Sequence, residues 1–321
     1  MNRAKFLRFA GAAAVTAAIP AGGRAAESSV QLTTSTGTIF GALTVPNASK
    51  TVPVVLIVAG SGPTDRDGNN ALLPGKNDTY KTIAADLASA GIASLRYDKR
   101  GVAMSTFAAP AQKDLRFEMY VDDAAAWVAQ LRADRRFSKI VVAGHSEGSL
   151  IGMIAAQRSA VDAFVSLEGA GRRASVVLLE QLKPQLAPQM FEQVRDVVQS
   201  LQDGKTAALP QSWPPALRGI FSPAIQPYLI SWFAYDPAAE IAKVRAPVTI
   251  VQGTADVQVS MVDAHALERA APRAHLVVVE GMNHMLRYYP DRSSQAAVLK
   301  GYEDAALPID PKVIAALTAA A

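Results

Sequence analysis

Apolar and polar positions along this chain change period in a repeating order. Residues 53–59 (Pro-Val-Val-Leu-Ile-Val-Ala) are apolar without interruption, the mark of a strand covered on both faces of a parallel sheet. A helical period follows over 79–90, then a short apolar run at 92–97, then a helix at 119–131. In that helix Tyr120, Ala124, Trp127, Val128 and Leu131 fall on one stripe. Runs at 139–143 and 163–167 flank a small, apolar stretch at 146–158, and further strand-like runs stand at 248–252 and 274–279. Ahead of them, Val30 to Leu32 and Thr38 to Val45 read as a hairpin around Ser35-Thr36-Gly37. Strands alternating with helices predict an α/β fold, a mainly parallel central sheet with helices on both faces.

Between 172 and 240 the β-like runs stop. Met190, Val194, Val197, Val198 and Leu201 trace a helical stripe, and five prolines from Pro210 to Pro227 cut the rest into short pieces. Trp213, Phe221, Tyr228, Trp232, Phe233 and Tyr235 crowd here, either facing a site below or anchoring the segment. We expect a helical lid (172–240) inserted between two parts of a core (26–171 and 241–321). A closing helix begins near Ser294, and the alanines from Ala316 to Ala321 read as a frayed end.

Residues 1–25 look like an export signal: Arg3, Lys5 and Arg8 precede an apolar run from Phe9 to Ile19, too short to span a bilayer. Removing Arg3, Lys5, Arg8 and Arg24 lowers the 32 basic residues to 28, equal to the 28 acidic ones. A neutral mature chain gives no electrostatic reason to expect nucleic acid or a stable membrane anchor. The expected location is exported, periplasmic or secreted. With no cysteine, disulfides and thiolate metal sites are excluded.

The candidate chemistry centres on Val141 to Met153, where a strand runs into Gly144-His145-Ser146-Glu147-Gly148 and straight on into a helix. This Gly-x-Ser-x-Gly corner exposes a serine hydroxyl, and its glycines stand where a Cβ would collide with neighbouring backbone. An acid and a base belong at the carboxyl ends of later strands. Gly253-Thr254-Ala255-Asp256 follows one such strand and Gly281-Met282-Asn283-His284 another, in the order Ser146, Asp256, His284. Of the four histidines, His145 lies inside the corner, His265 in a helix and His275 near a strand's start, which leaves His284 as general base. Glu168 rivals Asp256 as its partner and Asp263 is a third candidate; the glycine-bearing turn favours Asp256. We expect His284 within hydrogen-bond reach of both Ser146 and Asp256. The loop Gly60 to Asn69 lacks nucleotide-binding spacing, so its Ser61 N–H is read as joining that of Glu147 in an oxyanion hole, with Asp65, Arg66 and Asp67 as a salt-bridged brace.

These segments, with Arg96-Tyr97-Asp98-Lys99-Arg100-Gly101, resemble the α/β-hydrolases, in particular bacterial esterase-like members related to serine aminopeptidases. One departure is Ala59, where such chains commonly carry a histidine. The resemblance implies acyl transfer without a metal or cofactor. An apolar, aromatic lid favours a small-molecule ester substrate. An aminopeptidase or amidase would need lid acids such as Glu180, Glu192, Asp196, Asp236 or Glu240 to hold an amine, and a catalytically silent binding protein is the non-enzyme alternative.

Overall fold

The hairpin predicted near the start forms β1 (Ala26–Thr34) and β2 (Gly37–Val45), paired antiparallel. Then come β3 (Val52–Val58), α1 (Thr79–Ser89), β4 (Ala93–Tyr97), α2 (Phe117–Ala133), β5 (Phe137–His145), α3 (Glu147–Arg158) and β6 (Ala163–Leu167). After a helical segment follow β7 (Val248–Gly253), α9 (Met261–Ala270), β8 (His275–Val279), α10 (Gln295–Lys300) and α11 (Pro311–Ala320). This computed structural model describes residues 25–71, 75–291 and 294–321; the expected export signal lies outside them except for Ala25. The eight strands form one sheet in the order β1-β2-β4-β3-β5-β6-β7-β8, parallel from β4 through β8.

The unbroken apolar run of β3 has its explanation in the packing. Val54, Leu56 and Val58 join one core with Trp127, Val128 and Ile151, while Val55 and Ile57 join the opposite core with Ile83 and Leu87. A strand covered on both faces has no polar side to show. The alanine-rich end requires a correction. It is not frayed: α11 packs into the second core, with Val313 and Leu317 fully buried. Asp310 caps its first turn, Pro311 suits the first helical position, and alanine is the best helix former and small enough for close approach.

The segment between β6 and β7 is helical: α4 (Ala174–Leu182), α5 (Pro188–Gln202), α6 (Pro215–Ile220), α7 (Gln226–Phe233) and α8 (Pro237–Ile241). Trp213, Phe221 and Phe233 pack with Val194, Val198 and Leu201 into a core of its own. Tyr228 and Trp232 touch both this core and the main one. Of the two roles considered for the aromatics, Tyr228 and Trp232 fill both, anchoring the segment and lining the cavity beside Ser146, whereas Trp213, Phe221 and Phe233 hold the segment's own core.

Candidate active site

Ser146 stands between β5 and α3 with φ 55° and ψ −122°, a region that side chains other than glycine rarely occupy. Such a conformation costs of order 1–3 kcal/mol and persists because its surroundings impose it. The Ser146 N–H donates to Leu167 O at 2.9 Å, tying the corner to β6. A Cβ on Gly144 would run into the backbone of Gly148, and one on Gly148 into the carbonyl oxygens of β3's last residue and Ala59. Both glycines are therefore steric requirements. Among the described residues, no protein acceptor takes the N–H of Glu147 or of Ser61.

His284 Nδ1 lies 2.6 Å from Asp256 Oδ2, with both side chains buried. The other Asp256 oxygen accepts from the N–H groups of Gln258 (2.7 Å) and Val259 (3.1 Å). Burial alone would raise this carboxyl; the His284 charge and the hydrogen bonds reaching it outweigh that and hold it below the ordinary value. No hydrogen bond joins Ser146 Oγ to the ring among the described residues, so the expected double reach of His284 is met on the Asp256 side alone. Resting catalytic sites commonly hold this contact long and tighten it on substrate.

Glu168 turns out to lie behind Asp256, not against the imidazole. It is fully buried at a positive φ of 48°, accepts from Gly253 N–H at 2.9 Å and from Gln252, and shares a hydrogen bond with Asp256. Burial and the neighbouring Asp256 charge push its carboxyl well above the usual range, so it holds the proton of that bond. The third acid considered, Asp263, caps α9 and pairs with Arg172 at 2.7 Å, away from the ring. Glu168, Asp256 and His284 bring ligand atoms within 4.8 Å of one another, a spacing that suits a cation. Their hydrogen bonds to each other already occupy the facing atoms.

Gly60 N–H donates to Tyr80 Oη at 3.1 Å, Tyr80 donates to His145 Nδ1 at 2.8 Å, and His145 Nε2 donates to His284 O at 2.8 Å. One histidine inside the corner thereby fixes the loop after β3 relative to the loop carrying His284. Burial, then the His284 charge, push His145 down to about 3, so it stays neutral in the fold. Its unfolded counterpart gains a proton below the ordinary value of 6.5, and the stability it supports is lost as pH falls from 6.5 toward 3. At pH 5 that loss is about 2 kcal/mol. Glu168, and Asp123 with its carboxyl raised to about 6, act with the opposite sign. The check is therefore the difference between His145→Gln and the parent in urea unfolding, which should shift by about 2 kcal/mol in favour of the variant between pH 7 and pH 5.

The loop brace is formed largely as read. Arg66 pairs with Asp98 at 2.5 Å and Asp67 with Arg96 at 3.0 Å, pinning the loop to β4, and Asp65 accepts the N–H groups of Asp67 and Asn69. Ser61, Ser146 and Glu147 line a cavity of about 640 Å³ walled by Leu150, Val177, Ile225, Leu229, Tyr228 and Trp232. The helices between β6 and β7 supply most of that apolar wall. Glu147 is the cavity's one carboxylate among the described residues, and its oxygens are engaged by Lys99 and Tyr228.

A model of the family described as serine aminopeptidase, S33, matches residues 73–206. Esterase EstD of Thermotoga maritima is 28% identical over 263 residues, 81% of this chain. The chain spans 61% of that relative's length. The α/β hydrolase GrgF from Penicillium sp. sh18 superposes with a TM-score of 0.56 at 20% identity, over 81% of this chain and 91% of that one. The chain has the α/β-hydrolase fold. Est1E from Butyrivibrio proteoclasticus, solved with ferulic acid, gives a TM-score of 0.53 at 18% identity, over 83% and 93% of the two chains. Within this fold, sequence reading alone missed Tyr80 and the bracing roles of Lys99, His145 and Tyr228, whose partners lie 20 to 139 residues away. Lys99 carried one usable signal, a cation directly after a buried strand.

Proposed function

We propose that the protein is a serine hydrolase that cleaves carboxylic esters of small to medium acyl groups. The observation that carries this reading is the strained Ser146 at an apolar cavity, with the free N–H groups of Ser61 and Glu147 beside it. Ser146 Oγ attacks the acyl carbonyl while His284 Nε2 takes its proton, and Asp256 holds Nδ1–H and balances the imidazolium. The Ser61 and Glu147 N–H groups receive the oxyanion, each donor lowering the barrier by roughly 3 kcal/mol. Collapse expels the alcohol, protonated by His284, and water repeats the cycle on the acyl-enzyme.

Likeness to an esterase from Thermotoga maritima supports the reaction class. The cavity lining supports ester over amine-bearing substrates. An aminopeptidase needs a free carboxylate near the substrate's amine, whereas Glu180 pairs with Arg172, Glu192 with Arg195 and Glu240 with Lys243, and Asp236 caps α8. None of these four, nor Asp196, lines this cavity. Hydrolysis of p-nitrophenyl acetate, butyrate and octanoate beside an aminoacyl anilide tests the assignment. Turnover of the esters with at most trace anilide cleavage is expected, and efficient anilide cleavage would move the reading to a peptidase.

A further inference from the structure

Lys99 follows β4 and turns beneath the loop that leaves β3, where its side chain is 1% exposed. Its Nζ donates to Gly60 O at 2.5 Å and to Glu147 Oε2 at 3.1 Å, and lies 5.1 Å from the centre of the Tyr120 ring. An ammonium has three N–H groups, and these three neighbours use its directions. The ion is therefore not a free contact for substrate, although it borders the cavity.

The position of these bonds matters more than their number. Gly60 O and Ser61 N–H belong to the same planar amide, and in a trans peptide the two point in opposite directions. Whatever holds the carbonyl sets the aim of the N–H. A cation on the oxygen also draws charge along the amide and strengthens what its N–H can donate. The second oxyanion donor is the backbone of Glu147, and the carboxylate of that same residue is the ion's other partner. From across the cavity, Tyr228 on α7 donates to the remaining Glu147 oxygen. Its ring meets Tyr120 edge-on at 5.8 Å.

We propose that Lys99 is a positioning residue for both halves of the oxyanion hole, fixing the Gly60–Ser61 amide through its carbonyl and residue 147 through its carboxylate. This rests on the esterase reading above. A buried Lys–Glu pair is a poor source of stability, since desolvation opposes the attraction, and its place beside both donors is accounted for by orientation.

Lys99→Met alone would leave Glu147 buried without its cation, so the decisive variant is Lys99→Met/Glu147→Gln, neutral at both positions and close in volume. Turnover of p-nitrophenyl butyrate and inhibition by an alkyl boronic acid, which becomes tetrahedral on the serine, are measured for this variant, for Glu147→Gln and for the parent. The double variant should lose about 30- to 300-fold in kcat with KM within about twofold, and boronate affinity should fall in parallel. Glu147→Gln, which keeps the Lys99 to Gly60 contact, should lose less than about tenfold. A double variant that keeps kcat within about threefold of the parent, or that loses KM while boronate affinity is unmoved, overturns the proposal. A parent that hydrolyses no ester and is not labelled by a fluorophosphonate marks failure of the esterase reading itself, and the proposal falls with it.

Discussion

Ser146→Ala lowers kcat/KM for p-nitrophenyl butyrate by about 10⁵-fold or more and leaves the fold unchanged. Alanine removes the nucleophile, and what survives is the modest catalysis of an oxyanion hole acting on bound substrate and water. Alanine keeps a Cβ at φ 55°, so the strain remains and thermal unfolding should match the parent. Steady-state rates beside a thermal melt check both halves. A loss of activity accompanied by a large drop in melting temperature would point to a damaged corner instead of a missing nucleophile.

The second large effect is expected at Asp256→Asn, about 10⁴-fold in kcat. Both oxygens of Asp256 have assigned work, one accepting two backbone N–H groups from Gln258 and Val259, the other facing His284 Nδ1. Asparagine has one acceptor oxygen, and the two backbone donors claim it. Its NH₂ group then faces Nδ1, which must become an acceptor, and the proton moves to Nε2. An imidazole with Nε2–H cannot accept the serine proton. Glu168 cannot rescue it, because it lies behind residue 256 and is held there by the Gly253 N–H and Gln252. Kinetics at pH 8 measure the effect; a loss below about tenfold would mean that Asp256 neither orients nor charges the ring.

Much of the fold was legible because burial leaves a periodic trace. β3 is apolar at every position since both faces are covered, and the α2 stripe from Tyr120 to Leu131 is the face pressed on the sheet. The corner at Ser146 was legible for a steric reason, the exclusion of any Cβ at residues 144 and 148. The α11 helix was misread because alanine patterns say little about which face is buried, and its signals were the cap and proline ahead of it. Distant partners left no such trace. Nothing local distinguishes Glu168, which the fold places behind Asp256, from a carboxylate that would hold the imidazole. Tyr228 meets Glu147 across 81 residues, a pairing set by the helical segment and the sheet together.

The proposed mechanism passes the acyl group through Ser146. Incubation with a fluorophosphonate, followed by intact mass and peptide mapping, tests it directly. One adduct per chain on the peptide containing Ser146, formed more slowly while p-nitrophenyl butyrate is present at high concentration and absent in Ser146→Ala, is the expected result. Labelling elsewhere, or undiminished labelling of the alanine variant, would contradict it.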